Sequence, residues 1–243
     1  MLVSNTAVPD HDSRLPDARA DPSATTRHLS LASHELRTPL SVASGYLRML
    51  QRDAADFTDR HRKMIDEAET SCAHMAELLH ELSTLAQLDD GRMTLRTMPL
   101  DLFALVAEVR DKAAPVSEHG VLIELRGHDR PVIVRGDAHH LRAAFSSCIA
   151  AVVREQPDGA RVIVARRRMP GAALVVIARE TDVEAASEVA EASFDDMRGG
   201  LGMKLLIARR VIERHGGRVW SPAGPDGVAR SRGPILISLP AAE

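Results

Sequence analysis

From Leu29 onward, apolar residues recur at Leu29, Ala32, Leu36, Leu40, Ala43, Leu47 and Leu50, three or four positions apart. That spacing keeps them on one face of a helix and predicts a long amphipathic helix packed in a bundle. The polar stretch DAADFTDRH interrupts the pattern, and Thr58 or Asp59 is placed to cap a new helix by accepting from the open amides of its first turn. The spacing then resumes at Met64, Ile65, Ala68, Cys72, Met75, Leu79, Leu82, Leu85 and Leu88. Two long helices joined by a short loop predict an antiparallel hairpin. Because one hairpin cannot cover all of its own seam, the pattern predicts a homodimer that closes a four-helix bundle.

After LDDGRMTLRTMPLD the period changes from about 3.6 to 2. GVLIEL, PVIVRG, RVIVARR, ALVVIAR, RVWS and PILISLP read as strands, and Leu102 to Ala113, Ala138 to Arg154 and Leu201 to His215 read as helices between them. The fold class expected is therefore α + α/β: a helical hairpin forming a dimeric bundle, then an α/β sandwich. Three segments follow: a disordered arm over 1–25, rich in charge and proline, a helical hairpin over 26–89, and an α/β domain over 99–243.

Composition narrows the partners. A 44% hydrophobic content is ample for a core, and a formal net charge of -3 supplies no basic field for nucleic acid or an anionic membrane. Aromatic residues at 2% leave no stacking platform for single strands. Only Cys72 and Cys148 are present, without metal-ligand spacing, which suits a reducing compartment. With no run of roughly 18 to 20 apolar residues and no secretion signal, the expectation is a cytoplasmic protein with no membrane span and protein partners. RRR at Arg166 to Arg168 reads as a solvated hairpin end, Trp220 and Tyr46 as core or seam residues, and the histidines other than His34 as surface groups.

The chemistry concentrates in SHELRTPL, Ser33 to Leu40. His34 lies about 200° around the helix from Ala32, away from the seam, where its ring can be reached. A neutral imidazole nitrogen is a competent nucleophile toward phosphorus. Glu35 can accept from the other ring N–H and stabilise the charge that develops there. Thr38, one turn on, can hold a water or a phosphoryl oxygen. Pro39 lacks the N–H that would bond to the Glu35 carbonyl and loosens the helix beside the histidine.

This string resembles the H-box of sensor histidine kinases almost letter for letter. LDDGRMTLRTMPLDL resembles the linker between that family's dimerisation and ATP-binding domains, and GGLGMKLLIARRVIERHGGRVW resembles its second glycine box with the helix and strand that follow. The resemblance runs from about residue 27 to the C-terminus. It implies that His34 is the phosphoacceptor, that Glu35 assists, that Thr38 serves dephosphorylation of a partner response regulator through its receiver domain, and that the α/β sandwich is of the histidine-kinase ATP-binding type.

The family's nucleotide positions are a different matter. Counting along the helix after Asp137 places Ser147 and Ala151 where the family has two asparagines, the second of them the Mg²⁺ ligand, and a methyl group cannot coordinate a metal. After ALVVIAR an aspartate and glycines are expected, and the chain reads RETDVEAAS, with Arg179 or, one residue on, Glu180 at the aspartate position. SFDDMR, Ser193 to Arg198, is all that remains of a lid. Gly199, Gly200 and Gly202 survive from the second glycine box as weak cofactor candidates, with Arg198 where its first glycine is expected. The expectation is a two-component protein that exchanges phosphoryl groups between His34 and a response-regulator aspartate, or strips them, with impaired ATP binding, no metal site and no resident cofactor. The alternatives are a working soluble kinase that uses Mg-ATP to phosphorylate His34, and a non-enzymatic dimer that sequesters a response regulator. The short stretch before the hairpin suggests a relay member more than a receptor.

Overall fold

The computed structural model describes residues 22–53, 57–114, 120–128, 130–187, 191–192, 194–223 and 233–242. Helix α1 (Pro22–Arg52) and helix α2 (Asp59–Asp89) form the hairpin. Helix α1 starts at Pro22, four residues inside the stretch expected as an arm, because a proline with its fixed φ and missing N–H suits a first helical turn. Residues 1–21 of that arm lie outside the described residues. Thr58 caps α2 by accepting from the His61 amide at 3.4 Å. At the turn, Gln51 donates to Asp66 at 3.0 Å and to Glu69 at 2.6 Å, pinning the ends of the two helices together.

The single seam read on α1 divides into two rows. Ser33 and Leu40 are buried, and Leu47 and Gln51 partly so, against α2. Leu29, Leu36 and Leu50, seven residues apart or twice that, remain 41%, 55% and 43% exposed. Tyr46, expected at the seam, is also exposed.

The α/β unit begins with strand β1 (Met98–Asp101) and helix α3 (Leu102–Ala113), followed by strands β2 (Leu122–Gly127) and β3 (Ile133–Gly136) and helix α4 (Ala138–Arg154). Strands β4 (Arg161–Met169), β5 (Ala172–Arg179) and β6 (Glu191–Ala192), helix α5 (Lys204–Arg214), and strands β7 (Arg218–Pro222) and β8 (Ile235–Pro240) complete it. One sheet runs β2-β4-β5-β8-β7-β6, with β2 and β4 parallel and the other pairs antiparallel. β1 and β6 escape the pattern of hydrophobic positions: β1 is a four-residue segment around Pro99 that gains its order by pairing antiparallel with β3. Helix α5 starts at Lys204 instead of Leu201, because Gly199, Gly200 and Gly202 all take positive φ, which a right-handed helix cannot continue.

The faces of the sheet carry separate cores. Val162, Val164, Val175, Ile177, Ile235 and Ile237 pack with α3, α4 and α5. Ile163, Ala165, Leu174, Val176, Ala178 and Leu236 point the other way. That far face is covered by Val183, directly after the short 3₁₀ segment Glu180–Asp182, and by Ala186, within the 3₁₀ segment Ala185–Ser187, with Trp220 packed beside them. The arginine run is more than a solvated hairpin end. Arg166 reaches the Phe103 carbonyl at 3.3 Å and lies over its ring, while Arg167, on the opposite face, donates to the Val183 carbonyl and to Glu184.

Asp137 ties three segments together. One carboxylate oxygen caps α4 by accepting from the His139 and His140 amides, and the other accepts from the Arg96 amide of the linker at 2.9 Å. Its own amide donates at 2.9 Å to Nε2 of His215, whose Nδ1 faces the Val211 carbonyl at 2.7 Å. His215 thus departs from the surface reading of the histidines: it is 7% exposed and serves as an acceptor at the end of α5. Burial pushes the Asp137 carboxyl upward, but the Arg96 amide and the bonds and charge from His140 outweigh it and hold the group down at about 2. A carboxyl depressed on folding stabilises the fold above its unfolded value of 3.8, and that contribution, about 2 kcal/mol, disappears as pH falls from 3.8 toward 2. Urea midpoints at pH 6 and pH 2.5 test this: Asp137→Asn is expected to be markedly weaker than the parent at the higher pH, with the gap narrowing at the lower.

Candidate functional site

His34 lies on α1 with its side chain 76% exposed, in a shallow depression also lined by Arg37, Thr38, Ser41 and Val42. Helix α1 continues through Pro39. Around it the hydroxyls of Ser33 and Ser41 bond back to the carbonyls of Leu29 and Arg37, each at 2.8 Å. Oε1 of Glu35 stands 3.9 Å from Nδ1 of His34. This exceeds hydrogen-bonding distance, so the carboxylate acts as a nearby negative charge, and a rotamer change is needed to bring it into contact. With Nδ1 turned toward Glu35, Nε2 is the nitrogen left to attack an incoming phosphorus. Thr38 lines the same depression, one turn along.

The positions of the family's nucleotide site are arranged differently. Ala151 is fully buried on α4, and a Cβ at Gly199 would come within 2.9 Å of its Cα. Gly199, at φ 70°, is thus the residue that lets the loop lie directly on α4. Gly202 sits against Glu81 and Leu78 of α2, while Gly200 faces open space. Ser147 bonds to the Ala143 carbonyl of its own helix at 3.0 Å. Arg179 donates to Gln156 at 3.0 Å, and Glu180 pairs with Arg126 on the exposed edge of β2. Arg198, 4% exposed, donates from Nε to Oε1 of Glu155 at 2.9 Å and from Nη2 to the other carboxylate oxygen and to the Gly233 carbonyl. The three candidate cofactor glycines therefore meet different surroundings, α4 at Gly199, α2 at Gly202 and open space at Gly200. Among the described residues no group of three or more His, Cys, Asp or Glu could hold a metal ion.

Reading the sequence missed this buried Arg198–Glu155 pair. The signal was an arginine in a glycine's place, but its partner is 43 residues away, and no spacing rule connects them. It also missed Glu81, a 6% exposed acid on α2 whose carboxylate accepts from the Met203 amide at 3.2 Å and lies 3.8 Å from Lys204. With Lys204 bound to Glu77 at 2.6 Å and Arg210 to Asp89 at 3.0 Å, these contacts fasten α5 to α2.

Residues 24–91 match the family model of the His Kinase A (phospho-acceptor) domain. Sensor protein DivL of Caulobacter vibrioides is 25% identical over 197 residues, 79% of this chain and 26% of that protein. Sensor histidine kinase TrcS of Mycobacterium tuberculosis is 31% identical over 208 residues, 79% of this chain and 40% of that protein. The chain spans about a quarter of the length of DivL and of the GacS sensor protein of Pseudomonas syringae. Among solved structures, full-length ShkA in complex with AMPPNP superposes with a TM-score of 0.68 at 22% identity, covering 89% of this chain and 46% of that one. Histidine kinase ThkA in complex with response regulator protein TrrA gives 0.54 at 16% identity, covering 91% and 62%. At these identities the structures establish a common fold: a helical hairpin followed by a mixed α/β sheet unit.

Proposed function

The chain belongs to the sensor histidine kinase family, and from that premise we propose that it moves phosphoryl groups between His34 and the aspartate of a response-regulator receiver without drawing on Mg-ATP. The observation that carries this reading is the course of the chain after β5. Val183 and Ala186 are buried on the far face of the sheet, so a segment that should wall a nucleotide pocket beside α4 is on the other side of the domain. Further support comes from Ala151, closed off by Gly199, and from the Arg198–Glu155 pair beside them. The residues present do not fit Mg-ATP: a methyl stands at the metal position, and Arg179 and Glu180 are each committed elsewhere.

In the transfer, Nε2 of His34 forms a P–N bond as the P–O bond of the receiver's acyl phosphate breaks, and the electron pair leaves with the receiver carboxylate. The positive charge that grows on the ring is met by Glu35, and Thr38 orients water when the phosphoryl group is stripped instead. The hairpin of residues 26–89 acts as the dimerisation and phosphoacceptor unit, closing a homodimer over the open row Leu29, Leu36 and Leu50. Residues 99–243 then form a docking platform for the receiver. Two unpaired cysteines, Cys72 and Cys148, suit work in the cytoplasm. No helix among the described residues is long and apolar enough to cross a membrane.

The test offers the purified dimer two labelled donors. Acid-labile phosphate is expected from a phosphorylated receiver and not from Mg-ATP at millimolar concentration. Label from Mg-ATP that requires His34 would instead make this a working kinase.

A further inference from the structure

Helix α5 runs beside α2 in the same direction, and charged groups join the two toward both ends of α5. At its start, Lys204 donates to Glu77 at 2.6 Å and lies 3.8 Å from Glu81. Toward its end, Arg210 donates to Asp89 at 3.0 Å, and Arg214 reaches the carbonyls of Leu88 and Met93 at 3.1 and 3.3 Å. Glu77, Glu81 and Leu88 stand four and seven residues apart, so they share one face of α2. Leu88 on that face is 2% exposed and belongs to the core of the α/β unit.

The start of α5 depends on α2 in a second way. Its N-cap residue, Met203, supplies no side-chain acceptor, and the Met203 amide donates instead to Glu81 at 3.2 Å. A carboxylate at that end of a helix is favoured by the helix dipole. Gly202, at φ 60°, gives the backbone the turn that brings Met203 there. The hydrogen bond from Lys204, with its charge behind it, holds the Glu77 carboxyl below the usual carboxylate range. An isolated exposed pair would hold little, but here a buried acid and a buried leucine share the face with it. One contact between two bodies leaves a pivot. Contacts at Lys204 and Arg210, about 9 Å apart along α5, block rotation about either.

We propose that Glu77, Glu81 and Asp89 of α2, with Lys204 and Arg210 of α5, form an ionic lock that keeps the α/β unit at one fixed position on the hairpin. Arg37 borders both the depression around His34 and the cavity in which Glu81 and Lys204 stand, so the locked unit lies about one turn from the phosphoacceptor. It leaves the ring of His34 76% exposed. The use of the lock rests on the transfer reading: a receiver that comes to His34 meets the hairpin and a platform that is already in place.

Pulsed electron paramagnetic resonance on the full chain tests this, with nitroxides on Glu67→Cys of α2 and Arg168→Cys of β4, both exposed. Cys72 and Cys148 are buried and can stay. Labelled chain is diluted with unlabelled chain so that a dimer carries one labelled protomer. The parent is expected to give one narrow distance. Lys204→Glu with Arg210→Glu, which sets like charges against Glu77, Glu81 and Asp89, should at least double the width or add a second distance, at an unchanged thermal midpoint. The charge-retaining pair Lys204→Arg with Arg210→Lys should keep the parent's single distance. Should the reversal unfold the unit, Glu77→Gln with Asp89→Asn removes two exposed acids of the lock, and the same broadening is required. A parent already spread over several distances, or a charge-altered variant that folds and stays as narrow as the parent, overturns the proposal. None of these readouts involves phosphoryl transfer, so failure of the lock and failure of the transfer reading are told apart.

Discussion

His34→Ala is expected to lower phosphoryl acceptance from a labelled receiver by at least about 10³-fold, equivalent to roughly 4 kcal/mol of transition-state stabilisation. Removing the nucleophile leaves no other group in the depression able to form a P–N bond, since Arg37 is protonated and Thr38 and Ser41 are hydroxyls without an adjacent base. Because the ring is 76% exposed, stability should move by no more than about 0.5 kcal/mol, so a matching thermal midpoint confirms that the loss is chemical. Glu35→Gln should fall between parent and His34→Ala, as it keeps the shape but removes the charge facing Nδ1. Acceptance that survives His34→Ala would place the phosphoryl group elsewhere and end the transfer reading.

The second large effect is on stability. Arg198→Met is expected to destabilise the α/β unit by about 3–5 kcal/mol, because it leaves the Glu155 carboxylate buried without its counter-charge. With the two side chains 1% and 6% exposed, water cannot take over the lost contact. A drop in thermal midpoint of roughly 10 °C follows for a unit of this size. The double change Arg198→Met with Glu155→Leu should recover most of it, since an apolar pair of similar volume has no desolvation cost. A single substitution that costs under about 1 kcal/mol would show the pair to be hydrated. Arg198→Gly, which returns the family's glycine, should be as costly and should not confer labelling from Mg-ATP, because Ala151 and the diverted segment after β5 are unchanged.

What could be read from the chain, and what could not, divides by range. The hairpin, α3, α4 and six strands follow from periodicity, because a buried face imposes its repeat on neighbouring residues. Cap positions Thr58 and Asp137 are equally local, each acting on amides two or three residues ahead. His34 could be singled out because its chemistry needs only neighbours on one helix, and Glu35, Thr38 and Pro39 all lie within two turns of it. β1 was missed because four residues around a proline carry no repeat, and its order comes from β3.

By itself, then, the sequence determined most of the elements and the family to which the chain belongs, and it singled out His34 as the candidate phosphoacceptor. Tertiary structure decided the rest: which row of α1 meets α2 and which stays open, that the segment after β5 crosses to the far face of the sheet, that Arg198 finds Glu155, and that the acids of α2 meet Lys204 and Arg210 of α5. Each of these depends on side chains from distant segments competing for burial or for a charge partner. That competition is settled by packing density and desolvation across the folded molecule, which no local spacing records.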